Sequence, residues 1–151
     1  IGHSMCGNSA LNAAAQASGV KGIVLLAPCD IGTMTKQMTK SEMRTFLIDN
    51  GLEVLKTDGF EAVYNDLAGN AATYSFPNAA AKLKNTSVLL ITGQLDTCIS
   101  NDLLMTFYNA VTQNKTVPFS QYNSYKSKHG LRGVRVKISG DIADFILQTA
   151  K

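Results

Sequence analysis

The stretch GIVLLAP at residues 22–28 decides the fold class of this chain. It is a continuous apolar run of strand length, and such runs are typical of strands buried on both faces of a parallel sheet. A second run of the same kind, SVLLIT at residues 87–92, is ended by Gly93. We therefore expect two strands of a parallel sheet.

Helical patterns separate these runs from each other and from a third, weaker strand candidate at residues 116–122. Pro118 cannot donate a hydrogen bond within a sheet, so we expect that third strand at or near an edge. Alternation of strands and helices predicts an α/β fold, a parallel sheet flanked by helices. The predicted flanking helices are residues 8–18, 105–111 and 138–150.

The segment between the first two strands, residues 30–83, is too long for a plain crossover connection. Helical signals occur in it at residues 41–50 and 59–68. Thr39 and Glu42 have the spacing of a capping box at the start of the first of these helices. We expect a lid-like helical insertion over the ends of the strands.

Residues 1–7, IGHSMCG, nearly match the G-x-S-x-G signature of a serine held on a tight turn from strand to helix. In that interpretation Ser4 is a nucleophile, and small neighbours are required because the helix runs close beside the strand. Gly2 and Gly7 meet this requirement, whereas Cys6 stands where the motif has its second glycine. A serine that only caps a buried helix has similar neighbours.

Candidate acids follow the predicted strands. Asp96 lies in GQLDT, residues 93–97, directly after the second run, where the glycine frees the backbone to turn. Asp30 follows the first run and is the rival acid, to be separated from Asp96 only by geometry. An Asx turn, or a cap for a helix beginning near Ser100, is the purely structural alternative for Asp96.

The chain has two histidines, and His129 is the better candidate base. It lies in SKHG, residues 127–130, in a loop after the third predicted strand. His3 adjoins the serine, and neighbouring side chains in such a turn point apart, so we expect His3 to pack or to form hydrogen bonds. A surface histidine without a role is the alternative for His129.

Ser4, Asp96 and His129 thus occur in the order nucleophile, acid, base, each at or after a strand. With GHSMCG, GQLD and KHG as the three segments, the sequence resembles the α/β-hydrolase superfamily, over its whole length. Within that superfamily, the pattern is most similar to serine esterases and to prolyl-oligopeptidase-like or dienelactone-hydrolase-like enzymes. The resemblance implies a serine hydrolase that cleaves a carboxylic ester, thioester or amide through an acyl-enzyme intermediate.

The resemblance also implies an oxyanion site and a place within a domain. The backbone N–H of Met5 would be one oxyanion donor, and the second would come from a loop after an earlier strand that is not in this sequence. Residues 1–151 would be the C-terminal portion of one α/β-hydrolase domain, poorly active when isolated. The alternative is a catalytically inactive binding protein or pseudoenzyme on the same scaffold.

Composition excludes several other classes. With 45% hydrophobic and 17% charged residues, the chain is of ordinary globular type, and no apolar run approaches the roughly 20 residues of a membrane span. The net charge is +3, and its local excess lacks interleaved aromatics, so we expect no binding of nucleic acid. That excess consists of Lys126, Lys128, Arg132, Arg135 and Lys137. The resemblance implies a small-molecule ester or peptide-like substrate. The sequence leaves the compartment and the oligomeric state open.

Three cysteines are an odd number and form no closed disulfide framework. We expect buried free thiols at Cys6, Cys29 and Cys98, with a bridge between Cys29 and Cys98 as the alternative. No cluster has metal-ligand spacing and no glycine-rich phosphate loop follows a strand. The sequence therefore implies neither a metal nor a cofactor.

Overall fold

A parallel sheet forms the centre of the structure, a computed structural model that describes residues 1–150. Lys151, the last residue of the predicted domain, lies outside the described residues. The spatial order of the strands follows the chain, and each strand pairs parallel with the next. The predicted α/β class is confirmed. The strands are β1 (Gly2–His3), β2 (Gly22–Leu26), β3 (Ser87–Gly93) and β4 (Ser120–Tyr125).

Helices connect the strands and cover both faces of the sheet. None of the helices within residues 1–150 combines the length and the apolarity needed to cross a membrane. The helices are α1 (Met5–Gln16), α2 (Ile31–Gln37), α3 (Lys40–Asp49), α4 (Phe60–Gly69), α5 (Phe76–Lys82), α6 (Asn101–Gln113) and α7 (Arg135–Thr149), with a short 3₁₀ helix at Leu52–Val54.

The two central strands bury alternate side chains on opposite faces, because successive residues of a strand point to opposite sides. One set, including Leu25 and Leu90, belongs to a core shared with α1, α5 and α6. The other set, including Leu89 and Ile91, packs with Phe145 and the rest of α7. Every residue of β3 is buried, which explains why its sequence is an unbroken apolar run.

Several element boundaries differ from the sequence prediction, among them the starts of β4 and α1. β4 begins at Ser120, later than the predicted start at residue 116, and Pro118 lies outside it. Residues 114–117 form a turn instead, closed by the N–H of Val117 donating to the carbonyl of Asn114. The edge position of this strand is as predicted. α1 begins at Met5, earlier than the predicted residue 8, because it follows the turn at Ser4 directly.

The segment at residues 30–83 contains two helices that the sequence analysis missed, α2 and α5, beside the predicted α3 and α4. The capping box is confirmed: the Thr39 hydroxyl accepts from the N–H of Glu42, and the Glu42 carboxylate accepts from the N–H of Thr39. α5 packs against α1 and α6 and buries Phe76, so it is the crossover helix between β2 and β3. Helices α2 to α4 make up most of the rest of the segment, and the lid over the strand ends stays a prediction.

Candidate active site

Ser4 lies between β1 and α1, and its backbone has φ 53° and ψ −122°, a conformation that residues other than glycine rarely adopt. Such strain persists only where the surroundings hold it. Here the N–H of Ser4 donates to the Leu26 carbonyl at 3.0 Å, and the Ser4 carbonyl accepts from the N–H of Cys29 at 3.0 Å. The end of β2 therefore clamps the turn on both sides.

Close backbone approach explains both glycines of the turn. A Cβ on Gly2 would lie 2.2 Å from the carbonyl oxygen of Cys6, and a Cβ on Gly7 would lie 2.7 Å from the Cβ of Pro28. The Cys6 side chain is exposed, so the departure from the motif adds no crowding. The position at which the helix must lack a side chain is Gly7, one residue later than the motif indicates.

Asp96 and His129 come together at the carboxyl ends of β3 and β4. Adjacent parallel strands end at the same edge of a sheet, which brings the loops that follow them into contact. His129 Nδ1 lies 2.8 Å from Asp96 Oδ2, and the Asp96 side chain is only 1% exposed. With the proton on Nδ1, the imidazole donates to the carboxylate, and its Nε2 is left as an acceptor.

The second carboxylate oxygen of Asp96 is held by its own loop. Asp96 Oδ1 accepts from the backbone N–H of Cys98 at 2.8 Å and from that of Ile99 at 3.1 Å. One oxygen therefore orients the carboxylate and the other meets His129. The structural alternative for Asp96, an Asx turn, is present together with the contact to the histidine.

Gly93 allows the two loops to approach each other. A Cβ there would lie 2.5 Å from the carbonyl oxygen of Ser127, and that carbonyl accepts from the N–H of Leu95 at 3.0 Å. The φ of Gly93 lies outside the left-handed region. The glycine is needed for close approach, and not for the turn that the sequence analysis expected.

Asp30, the rival acid, has other partners. It caps α2, and its Oδ1 accepts from the N–H of Thr33 at 3.0 Å and from that of Phe76, the first residue of α5, at 3.2 Å. Burial raises the pKa of this carboxyl above its usual value, against the opposing effect of those hydrogen bonds. The structure pairs His129 with Asp96, and Asp30 joins two helices.

His3 forms hydrogen bonds and packs, as expected. Its Nε2 lies 2.9 Å from the carbonyl oxygen of His129, and the two rings are 4.8 Å apart, centre to centre. This contact attaches the His129 loop to the residue before Ser4. Among the described residues 1–150, no hydrogen bond joins the Ser4 hydroxyl to the His129 ring. Met5 is the first residue of α1, where a backbone N–H has no partner within the helix.

The cysteines differ from the expectation of three buried thiols. All three are free, so the alternative bridge between Cys29 and Cys98 is not formed, and only Cys29 is buried. Burial, with the nearby Asp30 charge as the next cause, raises the pKa of the Cys29 thiol to about 12.

The exposed Cys98 lies beside the candidate site, and one ligand atom from each of Asp96, Cys98 and His129 lies within 4.8 Å of the other two. No local sequence pattern reveals this group, because His129 lies far from Asp96 and Cys98 along the chain.

A cavity of about 490 Å³ adjoins His3 and the loop that follows His129. Its walls combine apolar side chains, such as Leu26 and Ile138, with Arg132 and Arg135. A larger cavity of about 660 Å³ is lined by residues that precede β2 and β3, including Lys21 and Lys84. That larger cavity lies at the amino ends of the strands, whereas Ser4, Asp96 and His129 lie at their carboxyl ends.

Comparison with known proteins shows the fold and no family. No protein-family model matches the chain, and no curated protein matches it. Among solved structures, an esterase from Pyrococcus furiosus is similar, with a TM-score of 0.68 at 14% sequence identity. The match covers 98% of this chain and 52% of the esterase chain, so this chain spans about half of that protein's length. At this identity, the likeness shows the fold alone, a parallel α/β sheet flanked by helices.

Proposed function

We propose that this chain carries the catalytic residues of a serine hydrolase that cleaves a carboxylic ester, thioester or amide. The observation that supports it most directly is the 2.8 Å contact between Asp96 and His129 at the sheet edge where Ser4 occupies its strained turn. A hydroxyl nucleophile is weak until a base takes its proton, and a base works best when a third group orients it. The three side chains offer these three roles.

In the proposed reaction, Ser4 Oγ attacks the carbonyl carbon while His129 Nε2 accepts the hydroxyl proton. His129 then delivers that proton to the leaving group, and Asp96 stabilises the charged imidazole. Water attacks the acyl-enzyme in the same manner and releases the acid. In an unliganded site the nucleophile–base hydrogen bond is often long, and it shortens when substrate is bound.

The oxyanion of the tetrahedral intermediate would be held by the backbone N–H of Met5, at the start of α1. The helix dipole adds to the attraction, because the amino end of a helix carries partial positive charge. In this proposal, residues 1–151 form the C-terminal portion of one α/β-hydrolase domain, and helices α2 to α4 within residues 30–83 are its lid-like insertion. The second oxyanion donor would come from a loop elsewhere in that domain.

The cavity beside His3 is the proposed place for the part of the substrate that does not react. Its apolar walls suit an alkyl or aryl group, and the guanidinium groups of Arg132 and Arg135 suit an acidic one. A small ester or peptide-like substrate that carries both an apolar group and an acidic group fits this lining.

Labelling with a fluorophosphonate probe tests the proposal on the intact protein that contains this chain. The probe bonds to a serine only when a base activates it, so the expected result is a single label on Ser4, located by peptide mass spectrometry. Ser4→Ala removes the label. The matched control Ser18→Ala, at an exposed serine after α1, retains it. Labelling no greater than that of heat-denatured protein would favour the alternative, an inactive binding protein on this fold.

A further inference from the structure

Asp96, Cys98 and His129 together present a carboxylate, a thiol and an imidazole to one point in space. One ligand atom of each lies within 4.8 Å of the other two. In a tetrahedral zinc site, with bonds of about 2.0–2.3 Å, two ligand atoms are about 3.3–3.8 Å apart. Zinc binding would therefore bring the more distant of these atoms closer together and move Asp96 Oδ2 and His129 Nδ1, at 2.8 Å, slightly apart.

This set of ligands selects among metals. Thiolate and imidazole favour Zn²⁺ and other thiophilic divalent ions, whereas Mg²⁺ and Ca²⁺ prefer oxygen ligands alone. Three protein ligands leave a fourth position for water. The chemistry therefore points to Zn²⁺.

The surroundings of the group are those of a supported and accessible site. Asp96 is fixed by two backbone N–H groups, and the His129 loop is fixed by the contact between its carbonyl and His3. Such outer contacts orient metal ligands and raise affinity. Because Cys98 is exposed, an ion can approach the buried Asp96 carboxylate from the side on which Cys98 lies.

We propose that Asp96, Cys98 and His129 form a zinc site whose occupation switches off the proposed hydrolase. On binding, the Cys98 thiol loses its proton to solvent and coordinates as thiolate. If the ion takes His129 Nε2, no lone pair remains for the Ser4 proton. If it takes Nδ1, the ring proton moves to Nε2, which then has no lone pair to accept the Ser4 proton, and Asp96 no longer orients the imidazole. Either mode removes the base.

Binding is tested first, without any need for activity. Co²⁺ is added to the intact protein after treatment with a chelator, and the thiolate-to-cobalt charge-transfer absorption in the near ultraviolet is recorded. The expected result is a band in the wild type and in Cys6→Ser, the control at another exposed cysteine. Cys98→Ser should lose the band, and Zn²⁺ should displace the cobalt. A band unchanged in Cys98→Ser, or none in the wild type, would overturn the site.

Inhibition is tested second and rests on the proposed function. Saturating Zn²⁺ should slow fluorophosphonate labelling of Ser4 by at least about 100-fold, the usual contribution of a general base. Cys98→Ser should need at least about tenfold more Zn²⁺ for half of that effect, relative to its own metal-free rate. Cobalt binding to a protein that never labels would leave the site standing and refute the hydrolase. Labelling without cobalt binding would do the reverse.

Discussion

Asp96 Oδ2 and His129 Nδ1 lie 2.8 Å apart, although 33 positions separate the two residues along the chain. The contact depends on β3 and β4 being neighbours that run parallel, so that their loops leave the sheet at one edge. The proposed chemistry depends on this contact.

Replacing Asp96 with asparagine should leave the loop folded but reverse the hydrogen bond to the ring. The amide of the introduced asparagine can donate a hydrogen bond to Nδ1 of His129, which places the ring proton on Nε2. A protonated Nε2 cannot accept the proton of the Ser4 hydroxyl. We expect turnover of a chromogenic short-chain ester to fall by about 10³–10⁴-fold.

The control for that substitution is Asp30→Asn, a change at the rival acid of similar burial. Because Asp30 contacts helix ends and not the imidazole, its substitution should change turnover by less than about threefold. A larger loss for Asp30→Asn than for Asp96→Asn would contradict the assignment of the acid.

A methyl group at Gly93 should force the two site loops apart. Because the new Cβ would lie 2.5 Å from the Ser127 carbonyl, we expect Gly93→Ala to lower the free energy of unfolding by about 1–3 kcal/mol. Fluorophosphonate labelling of Ser4 should slow as well, since His129 follows Ser127 closely. Urea unfolding and labelling rates measure the two effects.

Gly140→Ala is the matched control, since Gly140 lies within α7 and a Cβ there meets nothing within 4 Å. Alanine lowers the conformational entropy of the unfolded chain, so the free energy of unfolding of this variant should rise by about 0.5–1 kcal/mol. Similar losses in both variants would show that contact with Ser127 is not the cause.

The turn at Ser4 should tolerate changes at Cys6 and reject them at Gly2. A Cβ on Gly2 would lie 2.2 Å from a backbone oxygen that cannot move without displacing α1, so Gly2→Ala should unfold at a distinctly lower temperature. Cys6→Ala changes an exposed side chain, so its free energy of unfolding should lie within about 0.5 kcal/mol of the wild-type value. Circular dichroism during heating compares them, and equal losses would place the crowding elsewhere.

The pH dependence of stability should reveal the buried carboxyl of Asp30. Its pKa is raised in the folded protein, so folding favours the protonated form, and the stability this contributes is lost as pH rises through the folded pKa. Asp30→Asn retains an acceptor for both helices and lacks the charge. Its stability relative to the wild type should therefore increase from about pH 4, the ordinary aspartate value, towards neutrality.

Chemical unfolding of both proteins between pH 3 and pH 7 measures this difference. Asp30→Ala, which removes the acceptor, should be destabilised by about 1–3 kcal/mol, since two buried N–H groups lose their partner. A stability of Asp30→Asn relative to the wild type that falls as pH rises would contradict the role of burial.

Local patterns were enough to predict the elements with strong signals. The apolar runs of β2 and β3 and the capping box of α3 are visible in sequence because each depends on neighbours within a few positions. Weaker elements were misplaced or missed. β4 is an edge strand of polar residues, SQYNSY, and α2 and α5 have only seven residues each, too few to show a helical period.

The candidate site divides in the same way. The order of Ser4, Asp96 and His129 and their positions after strands follow from the sequence, since loops at strand ends can be recognised locally. The choice between Asp96 and Asp30 does not, because both follow buried strands and both are buried carboxyls. Strand adjacency decides it: β4 pairs with β3, so the His129 loop meets the loop after β3.

By itself, the amino-acid sequence determined that this protein builds a parallel α/β sheet and which side chains could supply nucleophile, acid and base. Periodicity and strand-end position are local properties, and they suffice for that. Only the tertiary structure decided that Gly93 serves a close approach of loops, that Cys6 escapes crowding, and that Cys98 joins Asp96 and His129. These facts depend on distances between segments remote in the chain, which packing of the sheet and its loops creates.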